Sequence, residues 1–194
     1  DRYRAFSDAY AAGLERRLDA GEPLTGIVSL AGIPIRDVDV EVNQRLEFNG
    51  MERALVLRGK IAIAHGRLMF WEYEDIVATD RWRKLAEAGA VPQRPRFSAT
   101  EPVSPEWIDT MYVTELVASG LVTTMNARTL LAFADHGEVH GDTVHDNYWC
   151  HEMFNRLRRA GPDFEEAVES LEAAGLAALQ SAWSDLSGAV SERL

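Results

Sequence analysis

The sequence holds a single cysteine in 194 residues. Cys150 cannot close an internal disulfide, so the fold must be held by packing and hydrogen bonding, and a reducing cytoplasm is the expected compartment. Lysine is nearly missing as well. Arginine supplies 18 of the 20 basic residues, which leaves Lys60 and Lys84 as the lysines available to any amine chemistry. Positive charge is in deficit overall, with 31 acidic residues giving a net charge of −11. That balance excludes a nucleic-acid binder, which needs a basic stripe. A Lys- and Arg-rich amphipathic helix of the membrane-docking kind is missing. So is any apolar run of about 18 residues, the length that would span a bilayer. The opening Asp1-Arg2-Tyr3-Arg4 is polar and lacks the apolar stretch of a signal peptide.

The composition, 46% hydrophobic and 26% charged, suits one globular domain across residues 1–194 with a sizeable core. Apolar residues at Tyr3, Phe6, Tyr10, Leu14 and Leu18 predict an amphipathic helix, which Gly21-Glu22-Pro23 ends. The nearly continuous apolar run from Leu24 to Ile33 predicts a strand buried on both faces, as in a parallel sheet. Further helices are expected over Val38–Phe48, Arg53–Glu74 and Arg81–Ala88, followed by a breaker-rich connector from Gly89 to Pro95. Arg96–Thr100 and Leu121–Met125 read as two more strands. Helices are expected around Ile108–Ala118, from Thr129 to Asp135, from Asp142 to Arg159 and from Asp163 to Gly175, with a last amphipathic segment over Leu176–Leu194. The tryptophans Trp71, Trp82, Trp107, Trp149 and Trp183 are read as packing anchors.

Strands alternating with helices imply an α/β fold with a parallel sheet. Three strands leave two sheet edges unpaired, and such edges invite association. More chain, a homo- or hetero-subunit, or a second copy is therefore expected to complete the sheet.

Several motifs carry a resemblance. Thr110-Met111-Tyr112-Val113-Thr114-Glu115-Leu116-Val117, Val122-Thr123-Thr124-Met125 and Leu130-Leu131-Ala132-Phe133-Ala134-Asp135-His136-Gly137 follow the strings D-T-L-Y-V-E/T-E-L-V, V-N-T-M-P and T-L-x-A-x-x-D-H-G. Leu57-Arg58-Gly59-Lys60-Ile61-Ala62-Ile63-Ala64 follows L-R-G-K-A-A-I-A, and Gln93-Arg94-Pro95 opens like Q-R-P-L-W. These strings belong to bacterial transaldolases of the longer type, also found fused to phosphoglucose isomerase, and the chain resembles their C-terminal half. The resemblance implies a TIM-type (β/α) barrel of which this chain gives strands six to eight and the C-terminal helices. It also implies Schiff-base transfer of a dihydroxyacetone unit between sugar phosphates, in the cytoplasm and without a cofactor.

The lysine that forms the Schiff base lies on strand four of the family barrel, so no catalytic residue is expected within this chain. The mouth of the barrel also departs from the pattern. Where the family has S-F-F-V-S-R, the chain reads Gly32-Ile33-Pro34-Ile35-Arg36-Asp37, and the phosphate-binding arginine falls on Asp37. Where it has W-A-S-T-G-x-K, the chain reads Phe97-Ser98-Ala99-Thr100-Glu101-Pro102-Val103, and a lysine is lost to Val103. Arg36, Ser98 and Thr100 are the residues expected near a sugar phosphate or related polyol. A non-catalytic half-barrel acting as a partner or scaffold subunit is the alternative reading.

Lys60 matches a lysine on an outer helix of the family barrel, and both it and Lys84 are expected in solvent. His136, His140, His145 and His151, with Asp142, Asp146 and Cys150, are close in sequence. Gly137 and Gly141 interrupt any shared helix face, so no metal site is expected there. Arg156, Arg158 and Arg159 are expected to complement a helix C-terminus.

Overall fold

The computed structural model describes residues 2–193. Asp1, at the head of the opening motif, and Leu194, the expected end of the last helix, lie outside the described residues. Helix α1 (Arg2–Asp19) leads into strand β1 (Leu30–Pro34), helix α2 (Ile35–Asn49), the short α3 (Glu52–Leu55), α4 (Ile61–Val77) and α5 (Asp80–Glu87). Strand β2 (Arg94–Ser98) follows, then a single turn of helix α6 (Met111–Thr114), strand β3 (Val122–Thr123), α7 (Ala127–His136), α8 (Asn147–Ala160) and α9 (Phe164–Ser191).

The three strands form a parallel sheet in the order β1-β2-β3. Gly32 pairs with Arg96 and Ile33 with Phe97, while Arg96 and Phe97 pair onward with Val122 and Thr123. Side chains alternate across a strand, so this register sorts the sheet into two faces. Ile33 and Phe97 point into the main core, among Ile35, Val38, Val42, Ile61, Tyr112, Leu116, Met153 and Leu157 from the covering helices. Gly32, Arg96 and Ser98 point the other way. There β1 is largely open, with Leu30 and Gly32 exposed. A second, smaller core joins Ala11 and Leu14 of α1 to Leu24, Trp82, Leu85 and Ala90.

That smaller core explains a first difference from the sequence expectation. The Leu24–Ile33 run contributes a strand only from Leu30. Its start is loop, because Leu24 is buried against Trp82 and Leu85 rather than paired in the sheet. The expected helix over Arg53–Glu74 is broken at residues 56–60. Gly59 adopts φ +74, and a side chain there would place its Cβ 3.2 Å from the Trp107 ring. A left-handed residue cannot continue a right-handed helix.

The Ile108–Ala118 helix shrinks to α6, and the Asp142–Arg159 helix begins only at Asn147, where Asp146 accepts the Trp149 amide as an N-cap at 3.0 Å. Gly175 does not divide the C-terminal segment, and α9 runs unbroken for 28 residues. Glycine weakens a helix interior by about 1 kcal/mol, which neighbouring alanine and leucine can offset. Trp183 is not a packing anchor. It lies 70% exposed on α9, in a stripe with Leu176, Leu179, Leu186 and Val190 that nothing among the described residues covers. No helix among the described residues is long and apolar enough to cross a membrane.

Candidate functional site

In a parallel sheet with helical crossovers, the loops that follow the strands gather at one end, and ligands bind there. Here that end is built by Pro34 to Asp37 after β1, Ser98 to Val103 after β2, and Thr124 to Asn126 after β3. Backbone hydrogen bonds hold the loops together. The Arg36 amide donates to the Ala99 carbonyl at 2.9 Å, and the Thr124 amide donates to the Phe97 carbonyl at 2.8 Å. Ala99 sits between them at φ +52, the one non-glycine residue with positive φ among those described. An L-residue in that conformation costs roughly 1–2 kcal/mol. The strain turns the chain sharply at the end of β2.

The three residues expected near a ligand come together at this end but differ in surroundings. Arg36, in the first turn of α2, is 38% exposed and faces Glu101 across 3.9 Å, longer than a good hydrogen bond. Its buried Nε has no hydrogen-bond partner among the described residues. Ser98 closes β2 on the open face, with its hydroxyl 3.5 Å from the Ile33 carbonyl. Thr100 is fully buried and its hydroxyl donates to the Thr124 carbonyl at 3.2 Å. That bond ties the β2 loop to the β3 loop. Asp37 turns away from Arg36 and lines a cleft of about 350 Å³ along the free edge of β1, with Gly32, Phe6, His65 and Leu171.

Behind the loops lies a buried polar pair that the sequence reading missed. Asp39 is 0% exposed and accepts the Tyr112 hydroxyl at 2.5 Å. Burial pushes the Asp39 carboxyl up to about 6, although Tyr112, the Ala62 amide and Asn43 favour its charged form. Burial and the facing carboxylate both push the Tyr112 phenol up. The pair joins α2, which starts beside Arg36, to α6, which ends the long loop after β2. It fixes the spacing of the two loops that carry Arg36 and Ser98. A buried carboxylate in a helix and a tyrosine seventy-three residues later give no local signal of each other.

Arg96 was also missed as a site residue. It lies beside Gly32, and a Cβ on Gly32 would fall 2.9 Å from its Nη2. The signal was present, since Arg94-Pro95-Arg96-Phe97-Ser98 alternates and puts Arg96 and Ser98 on one face of the strand.

Lys60 and Lys84 are exposed, Lys60 as the residue preceding α4 and Lys84 in the last turn of α5. His136 is held by Asp109 at 2.8 Å and Asp135 at 3.1 Å, which pushes its imidazole up. Among the described residues no three His, Cys, Asp or Glu side chains converge so as to hold a metal ion. Cys150 is buried in the main core, which pushes its thiol up to about 11 and leaves it unreactive.

Known proteins resemble this chain along its whole length. It is 40% identical to a transaldolase of Frankia alni, 44% identical to one of Parafrankia and 45% identical to transaldolase 1 of Streptomyces coelicolor. Each likeness covers 100% of this chain and between 51% and 53% of the relative. The chain therefore spans about half the length of the curated relatives it matches. The family profile described as transaldolase/fructose-6-phosphate aldolase matches residues 40–190. With a parallel sheet, helical crossovers and loops gathered at the strand ends, the chain belongs to the transaldolase/fructose-6-phosphate aldolase family.

Proposed function

We propose that residues 1–194 are one (β/α)-barrel segment, comprising strands six to eight and the C-terminal helices of a transaldolase-type enzyme. In the complete barrel, a lysine outside this chain adds its amine to the carbonyl of a ketose phosphate and loses water to form a Schiff base. Cleavage of the neighbouring carbon–carbon bond releases an aldose phosphate, and the retained three-carbon unit adds to the aldehyde of a second aldose phosphate. Hydrolysis then frees the lysine. The chain's own contribution is positioning. Arg36 offers its half-exposed guanidinium at the mouth, Ser98 offers a hydroxyl at the end of β2, and Thr100 ties the loop after Ser98 to the β3 loop. A lone, buried Cys150 accords with a reducing cytoplasm.

The observation that carries this reading is the end-to-end likeness to transaldolases. Its test is borohydride trapping with fructose 6-phosphate on the full natural gene product, read by intact mass and peptide mapping. A three-carbon adduct on a lysine outside residues 1–194 is the expected result. Full occupancy of an adduct on Lys60 or Lys84 would refute the assignment of roles.

A second reading, a non-catalytic partner or scaffold, draws on Asp37 and Val103 at positions where the family strings carry cations, and on the free edge of β1. It expects no trapped adduct and a stable complex with a second subunit that completes the sheet.

A further inference from the structure

The inner face of the sheet carries a cation with no visible counter-charge. Arg96 lies in the middle of β2, one residue from the core-facing Phe97, so its side chain leaves the sheet on the opposite side. Its guanidinium spreads sideways over β1. Nη2 lies 2.9 Å from where a Cβ on Gly32 would stand, so the guanidinium end rests against the bare backbone of Gly32 and a side chain there would displace it. Its Nε is enclosed and has no hydrogen-bond partner among the described residues. Among the described residues no carboxylate pairs with it, although the chain carries 31 acidic residues and other arginines, such as Arg45, Arg67 and Arg81, are paired.

A barrel interior is normally filled with layers of branched apolar side chains. The strings quoted above have leucine at the position of Arg96 and serine at that of Gly32. Relative to the same strings, the chain loses a cation at Asp37 and another at Val103. The chain has thus lost positive charge at its strand ends and gained it deeper on the inner face. Glycine at position 32 leaves room beside it for the end of the guanidinium.

We infer that Arg96, seated on Gly32 and followed on the same face by Ser98, is the oxyanion-binding group of this barrel. It takes the phosphate of a sugar phosphate through the forked N–H donors of its guanidinium. The geometry suits that ligand. A guanidinium offers two parallel donors to an oxyanion, and a charge-assisted pair of this kind is among the strongest polar contacts a site can make. A phosphate held below the mouth, rather than at it, would draw the sugar deeper along the sheet and so change which substrates fit. This inference rests on the transaldolase-type reading for its substrate class, but not for the anion site itself.

The test measures binding of inorganic phosphate and of fructose 6-phosphate to the full natural gene product by titration calorimetry. Arg96→Leu, which restores the family residue and keeps the interior apolar, should weaken both by about tenfold or more. Gly32→Val, which pushes the guanidinium out of its seat, should weaken both to a similar degree, and Arg96→Lys should fall between. Arg96→Gln repeats the experiment if Arg96→Leu does not fold. Wild-type phosphate affinity in a folded Arg96→Leu protein overturns the inference. So does a loss of thermal stability with phosphate binding unchanged, which would mark Arg96 as one half of an ion pair with a carboxylate from outside the chain. Arg96-dependent phosphate binding without a trapped three-carbon adduct would sink the transaldolase reading and leave the anion site standing. A trapped adduct with wild-type affinity for fructose 6-phosphate in Arg96→Leu would do the reverse.

Discussion

The two faces of the three-stranded sheet are made from the same residues in alternation, yet they meet opposite environments. On one face Ile33 and Phe97 are packed under α2, α4, α6 and α8. On the other, Gly32, Arg96 and Ser98 belong to neither apolar cluster among the described residues. Helix α9 repeats the contrast along its length. Ala167 and Leu171 are packed against the core, whereas Leu179, Trp183 and Leu186 are exposed. Burial on one side is complete and on the other has hardly begun. The uncovered side carries the α9 apolar stripe together with Arg96, and the covered side carries the packed core. Burial on the covered side supplies the packing on which the fold rests.

Removing a side chain from the covered face should have the largest effect. Phe97→Ala deletes a fully buried ring at the centre of the sheet. It should cost about 3–5 kcal/mol, read as a lower midpoint in urea unfolding with an unchanged slope. A loss below about 1 kcal/mol would mean that the covered face is not a packed core.

Asp39 sharpens the comparison through pH. Its folded-state pKa is raised from 3.8 to about 6 by burial. The folded protein therefore binds this proton more tightly than the unfolded chain does. Its contribution to stability is fully present below about pH 4, and it is lost as pH rises through about 6. Asp39→Asn keeps an acceptor for the Tyr112 hydroxyl and removes the titration. The wild type should lose on the order of 2–3 kcal/mol relative to this variant between pH 4 and pH 7. A stability difference that does not change with pH would place the titration elsewhere.

Ala99 tests the strained turn between the two faces. Ala99→Gly relieves the cost of φ +52 and should stabilise the fold by about 1 kcal/mol, less the extra freedom glycine gives the unfolded chain. In the full natural gene product the same change should raise KM for fructose 6-phosphate, because the loop holding Ser98 and Thr100 would no longer be fixed.

Substitutions on the uncovered side should have the smallest effect on the isolated segment. Trp183→Ser and Leu179→Ser should each change the unfolding free energy of residues 1–194 by less than about 0.5 kcal/mol, read by urea unfolding. In the full gene product they should cost more than 1 kcal/mol if α9 is covered there. Equal, small effects in both would show that the stripe remains in water.

Much of the fold was legible from periodicity. Helices α1, α2, α5 and α7 fall close to where the sequence pattern places them, because a helix face is written in residues three and four apart. Strand position was less legible. The apolar run at Leu24 looks the same in sequence whether it pairs in a sheet or, as here, plugs the small core beside Trp82 and Leu85. The motif strings located the loops of the candidate site but not how its side chains are used. Thr100 belongs to the same motif as Ser98, yet it faces inward and spends its hydroxyl on Thr124. Arg96 was passed over because the alternation in Arg94-Pro95-Arg96-Phe97-Ser98 says that two faces differ without saying which one is open.

The sequence by itself determined the family, the order of strands and helices, the excess of acid and the scarcity of lysine. These are properties of single residues or of neighbours a few positions apart. That Arg96 lies beside Gly32, that Asp39 meets Tyr112, and that the distal half of α9 is left bare came from the folded arrangement alone. Each of those facts depends on residues that are distant in the chain and adjacent in space. Contact of that kind is set by how strands pair and helices cross over them.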